Sequence, residues 1–235
     1  MIKRAMILAA GFGRRIKPLT LENPKPLLAI GKETLLSNTL KFLHNYGIEE
    51  VVINIHYLGE QITEYVNKNN FSLNIKIINE KKKILDTGGG VLNAIKHFSN
   101  EPFFIVNPDT IWNQYYIKEL IMMENFFFKN KKNQCLLLLV NKNRSFDRSF
   151  KGDFDLKNNL IKRKRKNNNQ YIYTGIQVVR PEIFLDIEDK VFPVKKVWDE
   201  LIENKKLLGL ESCIDFLHVS TLAIYKDLLK KNFKN

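Results

Sequence analysis

The stretch from residue 5 to residue 28 constrains the fold most. An apolar run, Ala5-Met6-Ile7-Leu8-Ala9-Ala10, meets Gly11-Phe12-Gly13, passes two adjacent arginines at Arg14 and Arg15, and closes on Asn23-Pro24-Lys25-Pro26-Leu27-Leu28. Such a run ending at glycine predicts a buried strand followed by a tight loop. Two arginines on the loop and a lysine held between prolines place three cations beside exposed backbone amides. That combination suits a polyphosphate: glycine admits close approach, amides donate to oxyanions, and the cations neutralise charge as it develops.

Two better-known loops fail on spacing. A dinucleotide fingerprint needs a third glycine three residues beyond Gly13, where Ile16 stands, and a P-loop needs Ser or Thr after Gly-Lys, where Gly31-Lys32 is followed by Glu33. A plain glycine turn with solvated arginines leaves the Pro-Lys-Pro segment unexplained.

Leu8-Ala9-Ala10-Gly11-x-Gly13-x-Arg15-x-x-Pro18-Leu19-Thr20, followed by Pro24-Lys25-Pro26-Leu27, resembles the signature of the sugar-1-phosphate nucleotidylyltransferases. Within them the chain is most similar to the short bacterial N-acetylmuramate-1-phosphate uridylyltransferases. The resemblance implies an α/β, Rossmann-like, mixed but mostly parallel sheet flanked by helices in three α/β/α layers, the nucleotide-diphospho-sugar transferase fold. It implies one domain over residues 1–235, with a nucleotide-binding half (1–110) and a sugar-phosphate-binding half (111–235).

The rest of the chain agrees with that class. At 235 residues and 44% hydrophobic it can bury a sizeable core, and 27% charged residues give no sign of disorder. No stretch is long enough to span a membrane, Met1-Ile2-Lys3-Arg4 leads into a strand too short for a signal sequence, and no hexapeptide-repeat tail is expected. Cys135 and Cys213 lie far apart in apolar surroundings and read as buried thiols of a cytoplasmic protein. The net charge of +13 raises nucleic acid as a partner. Its densest run, Lys162-Arg163-Lys164-Arg165-Lys166, lacks interleaved aromatics and reads as a solvated hairpin tip, so no nucleic acid is expected.

Strands at 51–55 and 73–78 alternate with helices at 35–46 and 58–66, which argues for a parallel sheet whose ligands gather at the strands' carboxyl ends. Leu85-Asp86-Thr87-Gly88-Gly89-Gly90 precedes an expected helix at 91–98. The resemblance implies that Thr87, Gly88 and Gly89 bind nucleotide with Ala10, Gly11, Gly13, Arg14 and Arg15; from the segment alone, a cap and turn without ligand is equally open. Strand 103–106 ends in Asn107-Pro108-Asp109-Thr110, and a carboxylate there is placed to hold Mg²⁺ against phosphates, or else to start the helix at 113–127. The family commonly has Gly-Asp, so Pro108 is a departure and Asp109 the matching metal ligand.

Further on, a strand at 135–140, a hairpin from Gly152 to Ile161 and a strand at 171–179 are expected, with helices at 181–185, 194–204 and 221–231 and strands at 207–210 and 214–219. The resemblance makes Asp153, Thr174 and Gly175 acceptor-sugar candidates; a turn at Asp153 and a bulge at Gly175 are the plainer readings. In Phe216-Leu217-His218-Val219-Ser220-Thr221, His218 takes the position of the family's second metal-binding aspartate. Imidazole is a poor ligand for Mg²⁺, so Asp109 with phosphate oxygens suffices, or Asp215 contributes although a regular strand would face it away, or the ion is Mn²⁺.

The implied reaction joins a nucleoside triphosphate, UTP by similarity, and a sugar 1-phosphate, N-acetylmuramate 1-phosphate or a related hexose, releasing pyrophosphate. Arg15, Lys25 and Asp109 are the catalytic candidates, with Lys25 also on the acceptor phosphate. A GTP- or CTP-using relative, or a non-catalytic nucleotide or NDP-sugar sensor, is the alternative. Oligomeric state and regulation are not legible.

Overall fold

The computed structural model describes residues 1–80, 83–163 and 169–231. Its strands are β1 Arg4–Leu8, β2 Ala29–Ile30, β3 Glu33–Thr34, β4 Glu50–Ile55, β5 Asn74–Asn79, β6 Phe103–Val106, β7 Cys135–Asn141, β8 Asp155–Lys157, β9 Leu160–Lys162, β10 Tyr171–Val179 and β11 Leu207–Ser212. Its helices are α1 Leu35–Tyr46, α2 Gly59–Lys68, α3 Asp86–Ala94, α4 Tyr116–Phe128, α5 Lys195–Glu203 and α6 Leu222–Leu229. Among the described residues, nine strands form one sheet in the order β5-β4-β1-β6-β10-β7-β11-β9-β8, and β2 and β3 form a separate ribbon. The pairings make every strand of the large sheet point one way except β10 and β9. This is the mixed, mostly parallel α/β sheet expected.

Alternation along the strands sets the layers. Ala5, Ile7, Val51 and Ile53 pack with α1 and α4 on one face; Met6, Val52 and Ile105 pack with α3 and α5 on the other. A smaller cluster joins Ile16, Leu28, Ile30 and Leu35 to Val219, Tyr225 and Leu228, so α6 braces the loop that follows β1. Tyr225 Oη fastens that contact by donating to the Ala29 carbonyl at 2.7 Å. Helix α1 is bounded as its sequence suggests. Thr34 Oγ1 accepts from the Ser37 amide at 3.0 Å, Ser37 Oγ accepts from the Thr34 amide at 2.9 Å, and Gly47 at φ +106° closes the other end.

Several expectations need correcting. The three glycines are the first turns of α3, which begins at Asp86, and its last turn tightens into a 3₁₀ turn at Ile95–His97. Residues 181–184 form a 3₁₀ turn. Residues 214–219 are not a strand; single bridges tie Phe216 to Ser145 and His218 to Thr110. The β8–β9 hairpin turns at Asn158-Asn159, both at positive φ. Arg163 pairs with Asp199 and lies 4.9 Å over the Phe154 ring, whereas Lys164, Arg165 and Lys166 lie outside the described residues. Cys135 is buried, but Cys213, just past the end of β11, is exposed.

Gly175 sits in a bulge. The β10–β7 register shifts between Tyr173 and Gln177, Gly175 has φ +96°, and a Cβ there would come within 3.0 Å of Asn107 Cβ. Side chains take over the lost ladder bonds: Thr174 Oγ1 donates to the Leu138 carbonyl at 2.9 Å, and Thr110 Oγ1 donates to the Thr174 carbonyl at 2.8 Å. The Asn107 amide reaches the Gly175 carbonyl at 2.7 Å, locking the end of β6 onto the bulge. Replacing Thr174 by valine removes one of these buried bonds and lowers unfolding stability in urea by about 1–2 kcal/mol. An unchanged urea midpoint would mean that the hydroxyl does not hold the bulge.

Candidate active site

The loop after β1 turns at Gly13, whose φ of +62° and 2.9 Å clearance from Thr20 Cγ2 leave no room for a side chain. Thr20 Oγ1 donates to the Gly13 carbonyl at 2.9 Å, and Tyr57 Oη donates to the Thr20 carbonyl at 2.9 Å, so the turn is tied to the segment after β4. Phe12 packs on His56 and Tyr57, and Arg14 covers it with its guanidinium 4.9 Å from the ring. Arg15 is exposed beside it. The loop closes one side of a cavity of about 350 Å³, whose wall includes Ala10, Gly11, Arg15, Lys25, Thr87 and Asp109.

Lys25 and Asp109 meet on that wall. The flanking prolines hold Lys25 at the start of a 3₁₀ turn, and β6 delivers Asp109 just beyond its carboxyl end. Their contact, Lys25 Nζ to Asp109 Oδ2, is 2.6 Å, with both side chains largely buried. His218 Nε2 approaches the same oxygen at 3.2 Å. The strap bearing His218 is fixed by the Val219 amide donating to the Asp109 carbonyl at 2.8 Å and by the bridge to Thr110. Asp109 does not cap α4, which begins at Tyr116. Asp215 points away and pairs with Arg144 on the surface.

A family model described as Nucleotidyl transferase matches residues 4–150, which hold the loop, Lys25 and Asp109. The chain belongs to the nucleotidyl transferase family. It is similar to an N-acetylmuramate alpha-1-phosphate uridylyltransferase of Caulobacter vibrioides, 27% identical over 92% of this chain and 91% of that one. A protein of the same description from Neisseria meningitidis serogroup B is 31% identical over 79% of this chain and 78% of its own. In fold it matches a putative glucose-1-phosphate thymidylyltransferase from Bacillus anthracis, with a TM-score of 0.78 at 17% identity over 99% and 97% of the two chains. The protein is thus an enzyme of the sugar-1-phosphate nucleotidylyltransferase kind.

In this nucleotidyl transferase the nucleotide-side candidates divide. Ala10, Gly11, Gly13, Arg14, Arg15 and Thr87 line the cavity. Gly88 and Gly89 are buried, and both amides donate to the Phe192 carbonyl, at 2.9 and 3.0 Å. Their lack of side chains serves packing against residues 190–192, since a Cβ on Gly88 would strike the Phe192 ring and one on Gly89 the Lys190 carbonyl. Thr87 Oγ1 is also engaged, accepting from the Val194 amide at 2.8 Å. On the acceptor side, Asp153 Oδ2 accepts from the Tyr173 amide at 2.9 Å, while the Thr174 hydroxyl and the Gly175 carbonyl are spent on the bulge. None of these three lines the cavity.

Asn54 and Asp86, not singled out from sequence, also line it. Asn54 Oδ1 accepts from the Ala9 amide at 3.1 Å, and its Nδ2 donates to Glu80 Oε1 at 2.7 Å, while Glu80 Oε2 accepts from the Leu85 amide at 2.8 Å. This buried chain connects β1, β4 and the start of α3. A polar residue inside the run Val51-Val52-Ile53-Asn54-Ile55 was the available signal, because a buried amide needs partners.

Charge is arranged around His218. Burial alone would raise the Asp109 carboxyl, but the Lys25 ammonium and His218 overcome it and hold the group far below the usual carboxylate range. Burial dominates at Asp153, which is raised despite the Tyr173 amide. At Asp147, buried beneath the strap, burial is outweighed by bonds from Ser149 and from the Ser220 hydroxyl, and the carboxyl is lowered. A lowered folded pKa contributes stability that is present above the unfolded value of about 3.9 and is lost as pH falls below it. Asp147→Asn therefore lowers stability at pH 7, and the gap to the parent narrows towards pH 3. Thermal unfolding across that range checks it; a gap independent of pH would exclude this linkage.

Proposed function

We propose that the protein transfers a uridylyl group from UTP to N-acetylmuramate 1-phosphate, or to a related hexose or hexosamine 1-phosphate, giving the NDP-sugar and pyrophosphate in the cytoplasm, as a step of peptidoglycan recycling. The observation that carries this reading is the Lys25–Asp109 contact on the wall of the cavity closed by the glycine loop. Similarity to two uridylyltransferases over most of their length favours UTP and the muramate sugar.

An ionised phosphate oxygen of the sugar phosphate attacks the α-phosphorus in line; one P–O bond forms, the α–β bridge breaks, and pyrophosphate leaves without a proton transfer. Catalysis is then positioning and charge neutralisation. Arg15 receives the β- and γ-phosphates, the amides from Gly11 to Arg14 lie beside them, and Lys25 bridges the α-phosphate and the acceptor phosphate. Gly88 and Gly89 support the nucleotide from behind, holding Thr87 at the wall. Asp153 serves the acceptor sugar, with Thr174 and Gly175 shaping its floor through the bulge.

A divalent cation fits the donor set. Asp109 Oδ1 is buried without a hydrogen-bond partner among the described residues, and Mg²⁺ is commonly held by one or two carboxylates with phosphates completing its shell. Among the described residues no three His, Cys, Asp or Glu side chains group into a protein-only site, so substrate oxygens must supply the rest. When bound, the ion offsets charge on the phosphates; Asp109 would hold it, with His218 adjoining.

Pyrophosphate release, measured over four nucleoside triphosphates and a set of sugar 1-phosphates, tests the proposal. Release requiring UTP and a hexosamine 1-phosphate together is the expected result. Nucleotide binding without release from any pair would reject transfer in favour of a sensor.

A further inference from the structure

We infer that His218 is a nitrogen ligand to the cation at Asp109, and that it tilts the site away from Mg²⁺ towards borderline dications such as Mn²⁺ and Co²⁺. This deepens the proposed nucleotidyl transfer and rests on it.

The placement of His218 supports ligation more than packing. Its ring stacks on Phe216 with 13° between planes, and the strap beneath is held by Thr110, Asp109 and the Ser220–Asp147 bond, so the ring is fixed in place. Nε2 faces Asp109 Oδ2 at 3.2 Å. An octahedral ion with bonds of about 2.1 Å places adjacent ligand atoms about 3 Å apart, so the hydrogen bond that joins these two atoms holds them near the spacing of one octahedral edge, and ligation requires Nε2 to shed its proton. Lys25 shares that oxygen, and a triphosphate would give its ammonium a better partner. Asp109 Oδ1 is buried and lacks a hydrogen-bond partner among the described residues, so the carboxylate is incomplete as it stands.

Chemistry then sets the preference. A neutral imidazole brings no negative charge and a softer donor than a carboxylate. Mg²⁺ loses most by that exchange because it binds through charge to hard oxygen. Mn²⁺ loses less, and Co²⁺, further along the Irving–Williams order, less still.

The test uses the full chain with UTP and no acceptor, so that nothing turns over. Mn²⁺ binding is followed by electron paramagnetic resonance, ¹⁴N coupling to bound Mn²⁺ by electron spin-echo modulation, and Mg²⁺ and Co²⁺ by competition. The expected result is an imidazole ¹⁴N signal in the parent protein, absent from His218→Asp and His218→Ala. Affinity should rise from Mg²⁺ to Mn²⁺ to Co²⁺, with His218→Asp improving Mg²⁺ relative to Mn²⁺ by about tenfold, as is typical of changes around a metal. Parent protein that binds Mn²⁺ with UTP and, in the separate transfer assay with acceptor, releases pyrophosphate, yet shows no ¹⁴N signal, overturns this inference and leaves nucleotidyl transfer standing. Failure of UTP and the other three triphosphates to bind with any of these ions overturns both. The parent spectrum decides even if a variant fails to fold.

Discussion

Replacing Lys25 by alanine slows pyrophosphate release by about 10²–10³-fold, the usual effect of losing one preorganised donor to developing phosphate charge. It also destabilises the protein, because Asp109 is left as a mostly buried carboxylate with His218 as its remaining close partner. Breaking a buried pair costs about 3 kcal/mol at the lower end, suited to side chains that are not wholly enclosed. Removing the charge of Asp109 as well separates the two effects. Lys25→Ala combined with Asp109→Asn regains about 2 kcal/mol relative to the sum of the single losses, while activity stays at the floor. Urea unfolding of the four proteins of this cycle gives the coupling, and a coupling near zero would show that the 2.6 Å contact carries little free energy.

Gly89→Ala is expected to be strongly damaging although it lies outside the chemistry and is conservative in size. Helix propensity favours alanine by about 1 kcal/mol, so propensity alone predicts stabilisation within α3. The added methyl, however, falls on the Lys190 backbone carbonyl, which cannot rotate aside as a side chain can. Overpacking of this kind costs about 1–3 kcal/mol or more, and with a backbone obstacle the upper range applies, for a net loss of about 2 kcal/mol. The displaced helix carries Asp86 and Thr87 with it, so the KM for nucleotide rises while that for the sugar phosphate stays near its parent value. A Gly89→Ala protein as stable as its parent, with unchanged nucleotide KM, would refute the packing account. Gly88→Ala meets the buried Phe192 ring and, at 2.9 Å, the Phe192 carbonyl, so it is destabilising as well.

These contrasts show what the chain discloses locally. Continuous apolar runs disclosed β1, β4, β6 and β7, and Tyr171–Val179 was readable to its ends because both faces are buried and glycine marked its bulge. Lys25 and Asp109 were readable because proline and strand-end context fix a charged residue in place without reference to distant chain. The packing of the α3 glycines on Phe192 is not legible, because that partner lies about a hundred residues on and no local pattern announces it. Residues 214–219 alternate like a strand, yet they pair with two different loops through single bridges. Asn54 is not legible locally, because its burial depends on Glu80 and Ala9, which meet it only in the folded sheet.

The seat of β10 between β6 and β7 bears on synthesis as well as on catalysis. β6 and β7 leave the ribosome first, and until residues 171–179 emerge neither has its shared neighbour. In that interval Phe103-Phe104-Ile105-Val106 exposes one edge of backbone donors and acceptors, and Cys135-Leu136-Leu137-Leu138-Leu139-Val140 has no sheet to join. Unpaired apolar edges of this kind are where growing chains aggregate or are held by chaperones. Slow translation or weakened pairing of β10 should therefore lower soluble yield well before it alters the finished enzyme, and variants at the Gly175 bulge would register first as a problem of biogenesis.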